Sequence, residues 1–244
     1  MMLRTMKADL HIHTCLSPCG ELEMSPLGIV RKASEKSIDI LGICDHNSAE
    51  NVPALMKAAR KFKISVLPGM EVTSHEEVHI LALFDEPEDA FKLQEIVYAN
   101  LPGENDEETF GLQVVVNEKG DVVRFNNKLL IGASTLSVET VVRTIRSLKG
   151  MAIASHVDRE GFSLIGQLGF IPDHLQLDAL EISPKITYHE AIEKFDPSYP
   201  LACFSDAHFL DEIGRGVTSF HIEEGTTEEI RKAFQNKEGR KVIN

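Results

Sequence analysis

Short runs of alternating or continuous apolar residues recur along this chain, separated by longer stretches with helical spacing. In Asp9-Leu10-His11-Ile12-His13-Thr14, Leu10 and Ile12 alternate with His11 and His13. The segment therefore reads as the end of a strand with both imidazoles on one face. Further strands are expected at 38–44, 64–67, 78–84, 151–154, 180–182, 201–204 and 217–222. Helical spacing falls between them, at 27–36 behind the Ser25-Pro26 start and at 52–62, 138–148 and 187–195. A terminal helix opens at Thr226 or Thr227, with Glu229 placed for a capping box. Alternation of this kind, without an internal repeat, predicts a mainly parallel α/β protein of about seven strand–helix units.

Residues 85–137 interrupt the rhythm. They read as an acidic helix at 87–98, a polar loop at 103–109, and apolar runs 112–116 and 122–125 flanking Asn117-Glu118-Lys119-Gly120-Asp121 as a hairpin would. The segment holds neither His nor Cys. It is expected to be an insertion over the mouth of the fold, either shaping substrate access or forming a flap that never meets substrate.

Composition alters this picture little. The 43% hydrophobic and 26% charged shares suit a soluble globular protein, and 244 residues suffice for one large α/β barrel or two smaller domains. No apolar run approaches the roughly 18–20 residues that span a bilayer, and the opening motif comes too soon for a secretory signal. Cys15, Cys19, Cys44 and Cys203 form no disulfide framework, so a cytoplasmic protein with free thiols is expected. Charge matters more. A net charge of −13 argues against a surface that holds a nucleic-acid polymer by neutralising its phosphates. Phosphate chemistry remains open, because bound divalent cations would reverse the local potential.

The candidate chemistry sits beside the predicted strands: His11, His13, Asp45-His46, Glu71, His79, His156, Asp206 and His208. Singly, each has an ordinary role, with Asp45 as a turn cap, His79 as a core histidine and Glu71 as a solvated carboxylate. If the strands run parallel in one barrel, their ends share one face, and groups far apart in sequence converge there. His75, His174, His189 and His221 do not share this placement.

These motifs resemble the PHP superfamily, named for polymerase and histidinol phosphatase domains. The resemblance is carried by Asp9-Leu10-His11-Ile12-His13-Thr14, Cys44-Asp45-His46-Asn47, Gly69-Met70-Glu71, Val78-His79-Ile80-Leu81, Ala154-Ser155-His156 and Phe204-Ser205-Asp206-Ala207-His208, in family order over nearly the whole chain. It implies a single domain over 1–244, a distorted seven-stranded β/α (TIM-like) barrel with the 85–137 insertion, and two or three divalent ions (zinc, manganese or iron). It further implies that His11, His13, Glu71 and Asp206 hold one metal, with Glu71 bridging to a second completed by His79 and His156. A third would use His46 and His208. Its remaining ligand in the family is commonly a histidine six residues after the second histidine of the opening motif, and here that position is Cys19. The thiol either ligates and favours zinc or leaves the third site weak or empty. Asp9 and Asp45 are expected as supports, Asp9 by accepting an imidazole N–H.

The function this implies is hydrolysis of a small phosphomonoester, such as a nucleotide, nucleoside bisphosphate or sugar phosphate, by a metal-bridging hydroxide. Arg159 and Arg215 are candidates to grip the phosphate. A barrel hydrolase of C–N bonds and a metal-stabilised regulatory module without turnover are the alternatives.

Overall fold

A computed structural model describes residues 2–243. Strand β1 (Arg4–Ile12) leads through helix α1 (Pro26–Glu35) into β2 (Ile40–Ile43), and α2 (Val52–Ala59) leads into β3 (Ser65–Leu67). Ser25 caps α1 by accepting from the Gly28 N–H, and Pro26 takes the first helical position. Pro68 has no N–H to donate and separates β3 from β4 (Gly69–Thr73), so Glu71 lies inside a strand of its own rather than beyond a strand end. Only residues 74–78 separate β4 from β5 (His79–Leu83), too few for a parallel crossover, and β5 turns back antiparallel. Next come α3 (Pro87–Ala99), α4 (Glu107–Phe110), a hairpin of β6 (Val114–Val116) and β7 (Val122–Phe125), and α5 (Val138–Ser147). The chain then passes through β8 (Met151–Ala154), α6 (Leu164–Leu168), β9 (Ala179–Ile182), α7 (Tyr188–Lys194), β10 (Leu201–Cys203), β11 (Thr218–Ile222), α8 (Thr227–Phe234) and β12 (Lys241–Ile243). Elements β4, α4, α6 and β12 have no counterpart among those the sequence predicts. The full capping box belongs to α7, between Thr187 and Glu190. At α8, Thr226 accepts from Glu229 N, while the Glu229 carboxylate accepts from Glu223 N and Arg240 instead.

The strands form two five-stranded sheets, ordered β12-β11-β1-β2-β3 and β10-β9-β8-β5-β4. The expected closed, mainly parallel barrel is not what forms. Pairs β1–β2, β2–β3, β8–β9 and β9–β10 are parallel, whereas β1–β11, β11–β12, β4–β5 and β5–β8 are antiparallel. Among the described residues, the isolated bridges Ile12–Ala207 and His46–Glu71 link the segments at the strand ends of the two sheets. Both bridges lie beside the candidate ligands, where loops rather than strands complete the contact. Leu10, Ile40, Leu67 and Phe220 of one sheet pack with Leu81, Met151, Ile153 and Ala179 of the other, and Ile230 and Phe234 of α8 join them. A second apolar layer seats α1, α2, α3 and α5 on the outer faces through Ile29, Leu55, Leu93 and Val142. No helix among the described residues is long and apolar enough to cross a membrane.

A bulge in β1 decides where its histidines point. Asp9 pairs with Leu41 and Ile12 with Ile43, so β1 spends one residue more than β2 between the two pairings. Leu10 consequently faces the layer between the sheets and Ile12 the outer layer, on opposite sides rather than the shared side that strict alternation predicts. Gly42 makes room for the bulge: a Cβ there would overlap the Leu10 carbonyl. The 85–137 segment is tied down, not a loose flap. Helix α3 packs Ala90, Leu93 and Val97 into the outer layer, and Val114 and Val116 pack on Cys15. The Asn51 amide donates to Thr14 Oγ1 and the Val114 carbonyl and accepts from Val116 N, joining the hairpin to the loop after β1.

Gly42→Ala is expected to destabilise the fold by about 1–3 kcal/mol, the range for overpacking, read as a lower urea midpoint. An unchanged midpoint would mean that the bulge does not press on β2.

Candidate metal centre

Glu71 is 1% exposed and stands at the middle of the candidate residues. Its Oε1 lies 3.3 Å from His11 Nε2, 3.0 Å from His79 Nδ1 and 3.4 Å from His156 Nε2, and its Oε2 lies 3.1 Å from His46 Nδ1 and 3.6 Å from His13 Nε2. Asp206 Oδ1 is 3.2 Å from both His11 Nε2 and His13 Nε2. Thus His11, His13, His46, Glu71, His79, His156 and Asp206 converge, while His208 stands 3.7 Å from Asp206 Oδ1 at the outer edge. His79 gets there differently from the expectation. It opens β5 rather than closing a strand, and only because β5 runs antiparallel does its first residue share a rim with the strand ends around it.

Abrupt turns aim several of these groups. Asn47, His156 and Asp206 adopt left-handed backbone, with φ of 52°, 31° and 51°. Each such residue costs on the order of 1–3 kcal/mol unless its surroundings hold it. Here they do: Asn47 N donates to the Glu71 carbonyl and its amide to Leu130 and Gly132 carbonyls, and His156 N donates to Glu181. Phe162, also left-handed at φ 59°, stacks its half-exposed ring on His79 at 4.8 Å.

The supports differ from those expected. The His11 Nδ1–H donates to the Glu181 carboxylate, 3.0 Å from each oxygen, which leaves Nε2 as the lone pair facing Glu71 and Asp206. Glu181 was not singled out in the sequence, although a signal existed: a carboxylate inside the apolar run Ala179–Ile182 has to find a partner once buried. Asp45 reaches a ring only through an intermediary. Its carboxylate accepts from Thr14 N, Thr14 Oγ1 and Ser17 Oγ, and Ser17 Oγ lies 2.9 Å from His13 Nδ1. Asp9 orients no imidazole. It accepts from Ser205 N and Gly214 N, holding the loop that bears Asp206 and His208 against β1.

Beyond Asp206 the centre opens into a cleft of about 710 Å³ lined by Cys19, Arg159, Ser183, Lys185, Phe209 and Arg215, among others. Arg159 Nη1 donates to Asp206 Oδ2 at 2.6 Å, and its Nε is buried without a partner. Arg215 is more exposed and pairs with Glu212 at 3.0 Å. Cys19 is exposed and lines the same cleft as His208.

Charge is distributed as a cation site requires. Burial works against ionised Glu71, but His79 and His11 outweigh it, and the carboxyl is held well below its ordinary range. Asp206 is likewise buried yet held low by His11 and His13. Burial, reinforced by His208 and His46, keeps His13 neutral, and burial lowers His79. On His11, burial is outweighed by Glu181, Asp206 and Glu71, which raise it; on His46, burial is outweighed by Cys19 and Glu71, which raise it to about 10. At Cys19, burial would raise the thiol, but His208 and His46 bring it down to about 7. Without cations, then, protons supply the positive charge that the carboxylates demand. His46 Nδ1, Glu71 Oε1, His79 Nδ1 and His156 Nδ1 are nevertheless buried without hydrogen-bond partners. Three groupings, His11–His13–Glu71, His46–Glu71–His79 and His13–His46–His208, each bring one donor atom per residue within 4.8 Å of the others. Orphaned lone pairs of nitrogen and oxygen around common points fit divalent metal ions.

Comparison with known proteins agrees with this chemistry. A family model described as PHP domain matches residues 9–159, more than half of the chain, and one described as PHP-associated matches residues 198–238. The lesion-specific endonuclease Q of Pyrococcus furiosus is similar in structure, with a TM-score of 0.78 at 21% identity over 98% of this chain and 58% of that one. An endonuclease Q structure with a 27-mer duplex substrate, its abasic lesion at the active site, gives 0.76 at 20% over the same shares. A Bifidobacterium adolescentis protein assigned to the metal-dependent phosphoesterases gives 0.62 at 16%, over 92% of this chain and 94% of that one. A 5′–3′ exoribonuclease of Haemophilus influenzae is 30% identical over 82 residues, 32% of this chain and 29% of that one. The chain spans half or less of the curated relatives it matches, and 58% of the endonuclease.

Glu181→Gln preserves shape but removes the anionic acceptor behind His11. It is expected to weaken metal binding by about 10–100-fold, the usual effect of losing such a partner, in a competition titration against a chromogenic chelator. An unaltered affinity would show that Glu181 serves only packing.

Proposed function

The chain belongs to the PHP domain family, and from that premise we propose that its centre hydrolyses phosphate esters with the help of bound divalent metal ions. The observation that carries this is the opening of the buried Glu71–histidine cluster, at Asp206, into a cleft bearing Arg159, Lys185 and Arg215 in a chain of net charge −13. An otherwise acidic protein that gathers cations beside such a cluster offers a local attraction for an anion. A cleft of this volume suits a small phosphomonoester such as a mononucleotide.

His11, His13, Glu71 and Asp206 would hold one ion, and Glu71, His79 and His156 a second. Bound there, the ions would polarise the phosphoryl oxygens and make water nucleophilic near neutral pH. The chain does the positioning. Glu181 fixes the ring of His11, and Ser17 with Asp45 fixes that of His13, so both present Nε2 to the centre. Arg159, beside Asp206, and Arg215, farther along the cleft, offer planar N–H pairs to phosphate oxygens. Phe162 covers His79 and limits water on that side.

A second reading, cleavage of a nucleic-acid strand, is favoured by the likeness to endonuclease Q and to the exoribonuclease. One experiment separates them: released inorganic phosphate from mononucleotides and p-nitrophenyl phosphate, set against cleavage of end-labelled DNA and RNA oligonucleotides. Phosphate release is expected after manganese or zinc is added, and loss of it on chelation. Cleaved oligonucleotides without phosphate release would replace the small substrate by a polymer, and no turnover of phosphoesters with metals restored would sink the phosphoesterase.

Glu71→Gln and Asp206→Asn are each expected to lower kcat by at least about 100-fold, as removal of an electrostatic stabiliser does. Arg215→Ala is expected to raise KM while leaving kcat within a few fold, and a kcat effect equal to that of Asp206→Asn would remove Arg215 from the role of substrate grip.

A further inference from the structure

The cleft beyond Asp206 has walls of two kinds. Arg159, Lys185 and Arg215 supply positive charge, while Pro184 and Phe209 supply carbon surface in a lining otherwise made of polar or ionisable side chains. Phe209 is 43% exposed. Among the described residues its ring belongs to none of the apolar clusters, whereas Phe162 already lays its ring on His79. A phenyl face turned to solvent inside a cationic cleft is a surface on which a planar ring can stack.

The segment that carries Phe209 is pinned on both sides. Phe209 follows His208 directly and precedes a single 3-10 turn at Leu210–Glu212, in which Glu212 N donates to the Phe209 carbonyl at 3.0 Å. The Glu212 carboxylate accepts from His208 N and from Arg215 Nη1, both at 3.0 Å. Leu210 packs on the outer apolar layer, Ile213 is fully buried in it, and Gly214 N donates to Asp9. Phe209 has ordinary extended backbone, at φ −131°. The ring is therefore exposed on a firmly held turn, and a ligand that stacks on it has little chain motion to freeze.

We propose that Phe209 determines specificity, its ring stacking on the base of a nucleoside monophosphate whose phosphate is held beside Asp206 by the cations of the cleft. This names the substrate within the phosphoesterase reading and rests on it. A sugar phosphate presents hydroxyls, for which a phenyl ring has neither donor nor acceptor, whereas every nucleobase has a π-face to lay against it. The cations serve both kinds of ester equally, so the discrimination falls to Phe209.

The test uses the full chain reconstituted with manganese and compares adenosine monophosphate with ribose 5-phosphate, which carries the phosphate without the base. The wild type is expected to favour the nucleotide in kcat/KM. Phe209→Ala is expected to lower that preference by about 5–100-fold, the range for one base on one aromatic ring, through KM for the nucleotide rather than through kcat. Phe209→Tyr, which keeps a ring, is expected to retain the preference, and equal urea midpoints report that both variants are folded. A wild type indifferent to the base, a preference undiminished in Phe209→Ala, or a loss carried by kcat on both esters would overturn the stacking role. Calorimetric binding of the nucleotide to the same samples keeps the two readings apart. Binding weakened in Phe209→Ala without turnover of either ester counts against the phosphoesterase alone, and turnover of both esters with equal preference counts against Phe209 alone.

Discussion

A buried carboxylate surrounded by imidazoles is the constraint on which the rest of this structure depends. Glu71 is almost inaccessible, and four imidazole nitrogens lie within 3.4 Å of its oxygens. An ionised carboxylate removed from water costs several kcal/mol unless positive charge surrounds it. Cations or protons must fill that demand, and each neighbouring ring must be held at an angle that lets it share them. The bulge in β1, the reversal of β5 and the left-handed residues at His156 and Asp206 all deliver rings or carboxylates to this one point.

Holding the rings takes a second layer of polar contacts, drawn from parts of the chain with no chemistry of their own. Glu181 on β9 fixes His11, and Asp45 reaches His13 through Ser17. Asp9 serves the loop that carries Asp206 and His208 rather than any ring. The hairpin of β6 and β7 presses Val114 and Val116 on Cys15, steadying the loop that follows the opening histidines. Buried polar networks of this kind are useful only when nearly every member is satisfied. Among the atoms left over, His46 Nδ1, Glu71 Oε1 and His79 Nδ1 face one another at the centre.

Much of the fold and most of the centre could be read from the sequence. Most strand positions, though not those of β4 and β12, the Ser25-Pro26 entry to α1, the hairpin near Gly120 and the ligand motifs follow from local patterns, since alternation, caps and turn residues act over a few positions. Motifs spaced along the chain beside predicted strands were enough to expect that His11, His13, His46, Glu71, His79, His156 and Asp206 would meet. The same local logic failed at β1, where period-two alternation puts Leu10 and Ile12 on one side. The bulge arises from pairing with β2, a partner some thirty residues away, and local periodicity carries no record of it.

The sequence by itself therefore determined which groups are available and roughly where each strand offers them, because those properties are short-ranged. Only the tertiary structure decided that the sheets stay open and are joined by single bridges, that β5 reverses to bring His79 to the rim, and that Glu181 stands behind His11. His11 and Glu181 are 170 positions apart. A contact over that distance is set by how two sheets pack on a shared core, and that packing depends on the whole chain at once.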